Sequence, residues 1–121
     1  MEELMLYVRY QAKPGCREKF VRQLVEEGIL TLIRQEDGCR EAFVRQIVEE
    51  GILTAIRGEA GCLAYDYYFS AQDENELLLL ERWESAAHQR VHMEQPHMAR
   101  LREIKEQYVD STKLGRVHLE E

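Results

Sequence analysis

Apolar and polar positions alternate along residues 3–11. Leu4, Leu6, Val8 and Tyr10 fall on one face, and Met5, Tyr7, Arg9 and Gln11 on the other. This is strand periodicity, and Pro14-Gly15 ends it. The spacing then becomes helical: Phe20, Val21, Leu24 and Val25 are followed by Ile29, Leu32 and Ile33. The same arrangement returns at Phe43, Val44, Ile47, Val48, Ile52, Ala55 and Ile56. The return is almost literal, since residues 15–37 and 38–60 agree at 18 of 23 positions.

Two copies are too few for a solenoid, which needs about three repeats to bury a core. The duplication therefore reads as one helix-containing segment repeated inside a single domain of 121 residues. One unbroken helix would turn the second apolar stripe away from the first, because 23 residues at about 100° each overshoot six turns by about 140°. Gly38, after the polar Gln35-Glu36-Asp37, supplies a stop, so two helical segments are expected. Gly28 and Gly51 sit inside the pattern at a cost of up to about 1 kcal/mol each. Either copy has the sequence needed to dock on the sheet.

Beyond the repeat, Gly61 suits a left-handed turn after a helix. Residues 63–70 read as a strand with Leu63, Tyr65, Tyr67 and Phe69 on one face. A polar turn leads to a third strand over 76–83, which places Leu77, Leu79, Glu81 and Trp83 together. Ser85 caps a short helix running to about Met93. Pro96 opens another whose face carries Met98, Leu101, Ile104, Lys105 and Tyr108, and a last strand is expected around 114–119. Strand, helix, hairpin, helix, strand is the order of an α+β ferredoxin-like half-barrel. Its helices cover one sheet face, so a second copy of the chain is expected on the other.

The net charge of −7 argues against nucleic acid and anionic membrane as partners. No apolar run approaches a membrane span and the acidic N-terminus does not match a signal peptide, so a cytoplasmic location is expected. Cys16, Cys39 and Cys62 each follow a glycine at a repeat boundary. Their odd number and lack of Cys-x-x-Cys spacing point to free thiols rather than a metal or disulfide framework.

Three features could carry chemistry. Glu81 and Trp83 share one strand face, where a carboxylate is costly to bury unless it is paired with Arg9 or Arg82 or serves a pocket. His88, His92 and His97 cluster around Pro96. His88 and His92 have the spacing of a metal pair, but no third ligand is evident, and no metal is expected. His92 is the candidate base, against the plainer reading of a surface histidine. Tyr7, Tyr10, Tyr65, Tyr67 and Tyr68 could line a pocket for a flat substrate or simply fill strands.

Gly61-Cys62-Leu63-Ala64-Tyr65, then Glu81-Arg82-Trp83-Glu84-Ser85, then His92 with Pro96-His97-Met98 resembles the antibiotic biosynthesis monooxygenase domain family. The likeness covers the first strand and nearly all of residues 49–108, with one repeat copy standing for the family's first helix. It implies a dimeric α/β barrel with a pocket between sheet and helices. It also implies cofactor-free oxidation of quinols or phenolic aromatics with O2. Glu81, Trp83 and His92 inherit a pocket role from the resemblance, and Tyr65 does so less firmly. In that reading His92 removes a proton, Glu81 orients it, and Trp83 with Tyr65 and Tyr67 packs on the substrate. An isomerase branch of the family would use His92 and Glu81 to shuttle a proton, with Arg9 on a phosphate. A third reading is a scaffold without turnover, assembled through the duplicated helix. Related members degrade haem with an asparagine on the first strand; this strand has none, so no haem or other cofactor is expected. A homodimer is expected, with exchange of the extra helical copy as a variant of it.

Overall fold

The computed structural model describes residues 2–14, 18–26 and 29–118, and for 18–37 the backbone alone. Strand β1 (Leu4–Ala12) is central. Leu4, Leu6, Val8, Tyr10 and Ala12 are buried, and the residues between them are more exposed, as alternation requires. It pairs antiparallel with β5 (Glu76–Trp83) on one side and β6 (Val109–Arg116) on the other, and β4 (Cys62–Phe69) pairs with β5. The sheet order is β4-β5-β1-β6, which is the ferredoxin-like arrangement.

Of the two repeat copies, only the second is helical among the described residues. It forms α1 (Cys39–Glu49) and α2 (Ile52–Arg57), separated by Glu50 and Gly51. Gly51 adopts φ 75°, a left-handed conformation that glycine enters without a Cβ penalty, so the break uses the glycine that helix propensity disfavours. Phe43, Ile47 and Ile56 are fully buried against the sheet. Each such side chain contributes about 1.5–3 kcal/mol of transfer free energy.

The first copy departs from expectation. Residues predicted as helix run instead as strands β2 (Glu18–Glu26) and β3 (Ile29–Asp37), which pair antiparallel in a separate two-stranded sheet. Local propensity cannot distinguish copies this alike, so tertiary context decides. The sheet has one helix-binding position before β4 and the second copy fills it. The first copy satisfies its backbone by pairing with itself, which its Val21, Val25, Thr31 and Ile33 tolerate. Gly28 and Cys16 lie outside the described residues.

Ser85 caps α3 (Ala86–Met93) by accepting from the His88 amide, and α4 (Pro96–Tyr108) begins at its proline. Met98, Leu101, Ile104 and Tyr108 of α4 are buried. β6 starts directly after α4, five residues before the expected strand. As an edge strand exposed along most of its length, it lacks the alternation that would have marked it. The β4–β5 hairpin is tied to α1 by the Arg40 guanidinium, which donates to the Ser70, Asp73 and Glu76 carbonyls at 2.9–3.0 Å. The thiol expectation fails at Cys39, which is disulfide-bonded, and holds at Cys62. No helix among the described residues is long and apolar enough to cross a membrane.

Gly61, at φ 81°, packs directly under His88: a Cβ there would lie 2.3 Å from the imidazole Cγ. Gly61→Ala is therefore expected to cost about 2–4 kcal/mol, from left-handed strain of about 1–2 kcal/mol plus overpacking. Urea unfolding would read it, and a loss below about 0.5 kcal/mol would contradict this packing.

Candidate functional site

The inner face of β5 continues from the apolar Leu77 and Leu79 to Glu81 and Trp83, all four buried. Glu81 meets neither arginine expected for it. Arg9 pairs with Glu76 at 3.1 Å on the exposed sheet face, and Arg82 donates to Glu3 at 2.6 Å. The Glu81 carboxylate instead accepts from Trp83 Nε1 at 3.0 Å. Burial pushes the Glu81 carboxyl up, only partly opposed by that hydrogen bond, by His92 and by Lys105.

A carboxyl raised on folding contributes most at pH below its ordinary value near 4.5, and that contribution is lost as pH rises through the folded value. Glu81→Gln, which keeps an acceptor for Trp83, should gain stability relative to the parent as pH climbs from 4 to 8. A difference that shrinks over that range would contradict the assignment.

His92, on α3, is 1% exposed. Its ring lies 4.6 Å from Trp83 at 34° and 5.6 Å from Tyr65. Its Nδ1 stands 2.9 Å from Glu59 Oε2, in the turn after α2. The same oxygen meets His97 Nε2 at 3.0 Å, from the first turn of α4. The residue facing His92 is thus Glu59, while Glu81 acts on it through space. His88 turns away, its Nδ1 2.7 Å from Ser85 Oγ.

Beside this cluster lies a cavity of about 140 Å³, bounded by β1, β6 and the two C-terminal helices. Tyr10, Tyr65, Glu81, His92 and Lys105 are among the residues that bring polar groups to it, and Val8, Met98 and Leu101 among those that form its apolar wall. Burial holds the Lys105 ammonium below the usual lysine range, although Glu81 favours its charge. Its Nζ lies 5.1 Å over the Tyr10 ring. Burial likewise pushes the Tyr10 and Tyr65 phenols well up, which keeps them neutral donors.

Of the residues singled out in the sequence, Tyr10, Glu81, His92 and Tyr65 come together around this cavity. Trp83 backs His92 without lining the space. Tyr67 stands behind Tyr65 at 5.9 Å and against Phe43, with its phenol raised by burial. Arg9 is on the other sheet face. Sequence reasoning missed Glu59 and did not single out Lys105. A lysine inside the apolar stripe of α4 was a usable signal. Glu59 gave none, because its partners lie 33 and 38 residues away.

A ferredoxin-like sheet with a polar-tipped cavity under its helices defines a small-ligand-binding α+β class. Residues 40–104, more than half of the chain, match the family model described as antibiotic biosynthesis monooxygenase. The chain belongs to that family. The match begins within the second repeat copy, the one that packs on the sheet. A Pseudomonas aeruginosa protein has the same fold at 21% identity and TM-score 0.71, covering 100% of this chain and 97% of its own. A Mycobacterium tuberculosis protein does so at 21% identity and TM-score 0.68, with 99% and 97% covered. A third structure, described as an antibiotic biosynthesis monooxygenase, matches at 17% identity and TM-score 0.64 over 98% of this chain and 99% of its own. None of the curated proteins matches the sequence.

Proposed function

We propose that the chain is a monooxygenase that oxidises quinols or phenolic aromatics with O2, using its own side chains and no flavin. The observation that carries this reading is the held imidazole. His92 is fixed by Glu59 on Nδ1 and by Trp83 and Tyr65 on its faces, which leaves Nε2 for a substrate in the cavity.

In this reading His92 takes the hydroxyl proton of a phenol. The phenolate transfers one electron to O2, and the radical pair joins at a ring carbon that bears hydrogen. The resulting hydroperoxide loses water, so phenol plus O2 gives quinone plus water. Lys105 and the neutral phenols of Tyr10 and Tyr65 offset charge on the phenolate and on reduced oxygen. The cavity is close to the roughly 150 Å³ that accommodates benzene in an engineered core, so a single ring is the expected size.

The isomerase reading needs a cation for a phosphate. Arg9, its candidate, is exposed and paired with Glu76 away from the cavity, which leaves that reading without the residue it named. The scaffold reading rested on a second helix, and the described residues of the first copy run as strands. A homodimer joined through the outer sheet face, where Met5, Tyr7, Leu78, Leu80 and the half-exposed Tyr68 gather, is part of this proposal.

The test is oxygen uptake with single-ring and two-ring quinols and phenols. Single-ring turnover above the buffer rate supports the reading. Uptake at the buffer rate for every compound overturns it, and turnover of two-ring compounds alone overturns the size assignment.

A further inference from the structure

Glu59, His92 and His97 reach one point from three segments: the turn after α2, helix α3 and the start of α4. Their donor atoms all lie within 4.8 Å of one another. Neighbouring donors in a tetrahedral site with bonds of about 2.0–2.1 Å stand about 3.3 Å apart. The two nitrogen–oxygen separations here, 2.9 and 3.0 Å, are within a few tenths of an ångström of that.

The charge balance also favours a cation. The Glu59 side chain is about 10% exposed, and its hydrogen-bond partners among the described residues are the two imidazoles. A second buried carboxylate, Glu81, lies within its electrostatic range. No lysine or arginine among the described residues forms an ion pair with either carboxylate. A divalent ion between the two imidazoles and Glu59 balances the charge of this buried carboxylate.

We propose that the Glu59 carboxylate, His92 Nδ1 and His97 Nε2 bind one divalent transition-metal ion such as Zn²⁺, Co²⁺ or Ni²⁺. Two imidazoles and one carboxylate suit these ions rather than Mg²⁺ or Ca²⁺, and three protein ligands leave a position open to water. The His97 side chain, 22% exposed, gives the route in. The pair suggested by helical spacing, His88 with His92, is not the one that converges. His97 takes the second imidazole position and Glu59 supplies the third ligand.

The ion takes the position of the Nδ1 proton that Glu59 accepts, so the contact that holds the His92 ring in place for proton removal is lost. Occupancy is accordingly inhibitory, a consequence that rests on the proposed oxidation; the binding site does not.

The test is Co²⁺ titration of the intact, chelator-treated chain, followed by visible d–d absorption. The expected result is one Co²⁺ per chain, displaced by Zn²⁺, with affinity at least tenfold weaker in His97→Ala and in Glu59→Gln and unchanged in His88→Ala. Thermal unfolding of each variant separates ligand loss from misfolding, and His97 is exposed enough to be removed safely. The absence of a cobalt spectrum at millimolar Co²⁺ overturns the site, as does equal affinity in folded His97→Ala. Zn²⁺ should also suppress oxygen uptake in the parent and not in His97→Ala; suppression that persists in folded His97→Ala overturns the inhibitory consequence. If the parent shows no uptake at all, the proposed oxidation fails while the cobalt spectrum still decides the site.

Discussion

Trp83→Ala should lower the stability of the chain by about 3–5 kcal/mol, the range for emptying a large aromatic site in a packed core. The effect has three sources. The indole is 0% exposed, so the substitution leaves a cavity on β5 next to β1 and β4. The Glu81 carboxylate loses the hydrogen bond from Trp83 Nε1 while remaining buried. The His92 ring loses the surface it lies against at 4.6 Å. Against a typical total of about 5–15 kcal/mol, a loss of this size would bring the urea midpoint down steeply. Trp83→Phe keeps an aromatic ring against His92 and loses the N–H and part of the indole volume, so it should cost clearly less. A Trp83→Ala loss under about 1 kcal/mol would show that this packing does not hold.

His92→Ala should reduce turnover of a phenolic substrate by about 10²–10⁴-fold, the usual contribution of a positioned general base. A buried imidazole also fills space, so lost activity alone would not separate chemistry from collapse. Added imidazole can enter the vacated site and should restore part of the turnover if proton removal is the role of His92. Glu59→Gln should act more mildly, lowering kcat with little change in KM, because Glu59 positions the ring and does not touch substrate. Failure of imidazole to rescue a folded His92→Ala chain would argue for a structural role.

Much of the fold was legible because long-range context agreed with local pattern. The alternation of Leu4, Leu6, Val8 and Tyr10, the Leu77-to-Trp83 face, the Ser85 cap and the Pro96 start all appear as read. The duplicated segment was not legible for a physical reason. Two nearly identical sequences compete for one helix position, and a single-sequence pattern carries no information about the loser. Strand β6 was placed too late because an exposed edge strand has little hydrophobic signal to read.

The site divides in the same way. Glu81 and Trp83 announced themselves by being polar or aromatic on an apolar strand face, and His92 by its place before Pro96 and by the family resemblance. Arg9 sat on the outward phase of β1, so strand alternation already argued against a place in the cavity. Glu59 became visible only once α2, α3 and α4 were packed, since nothing in a Gly-Glu-Ala-Gly turn marks its glutamate. The repeat even carries an equivalent, Glu36, whose backbone lies in β3 opposite Lys19. The copy that docks on the sheet delivers its carboxylate to the histidines.

The most direct test of the central claim is isotopic. A single-ring phenol would be turned over by the metal-free chain under ¹⁸O₂, with the quinone reduced at once to prevent exchange with water, and its mass measured. Loss of water from a ring hydroperoxide predicts one ¹⁸O atom in each product molecule, formed faster than in buffer. A product carrying oxygen from water alone, or formation no faster than autoxidation, would contradict a monooxygenase built on His92.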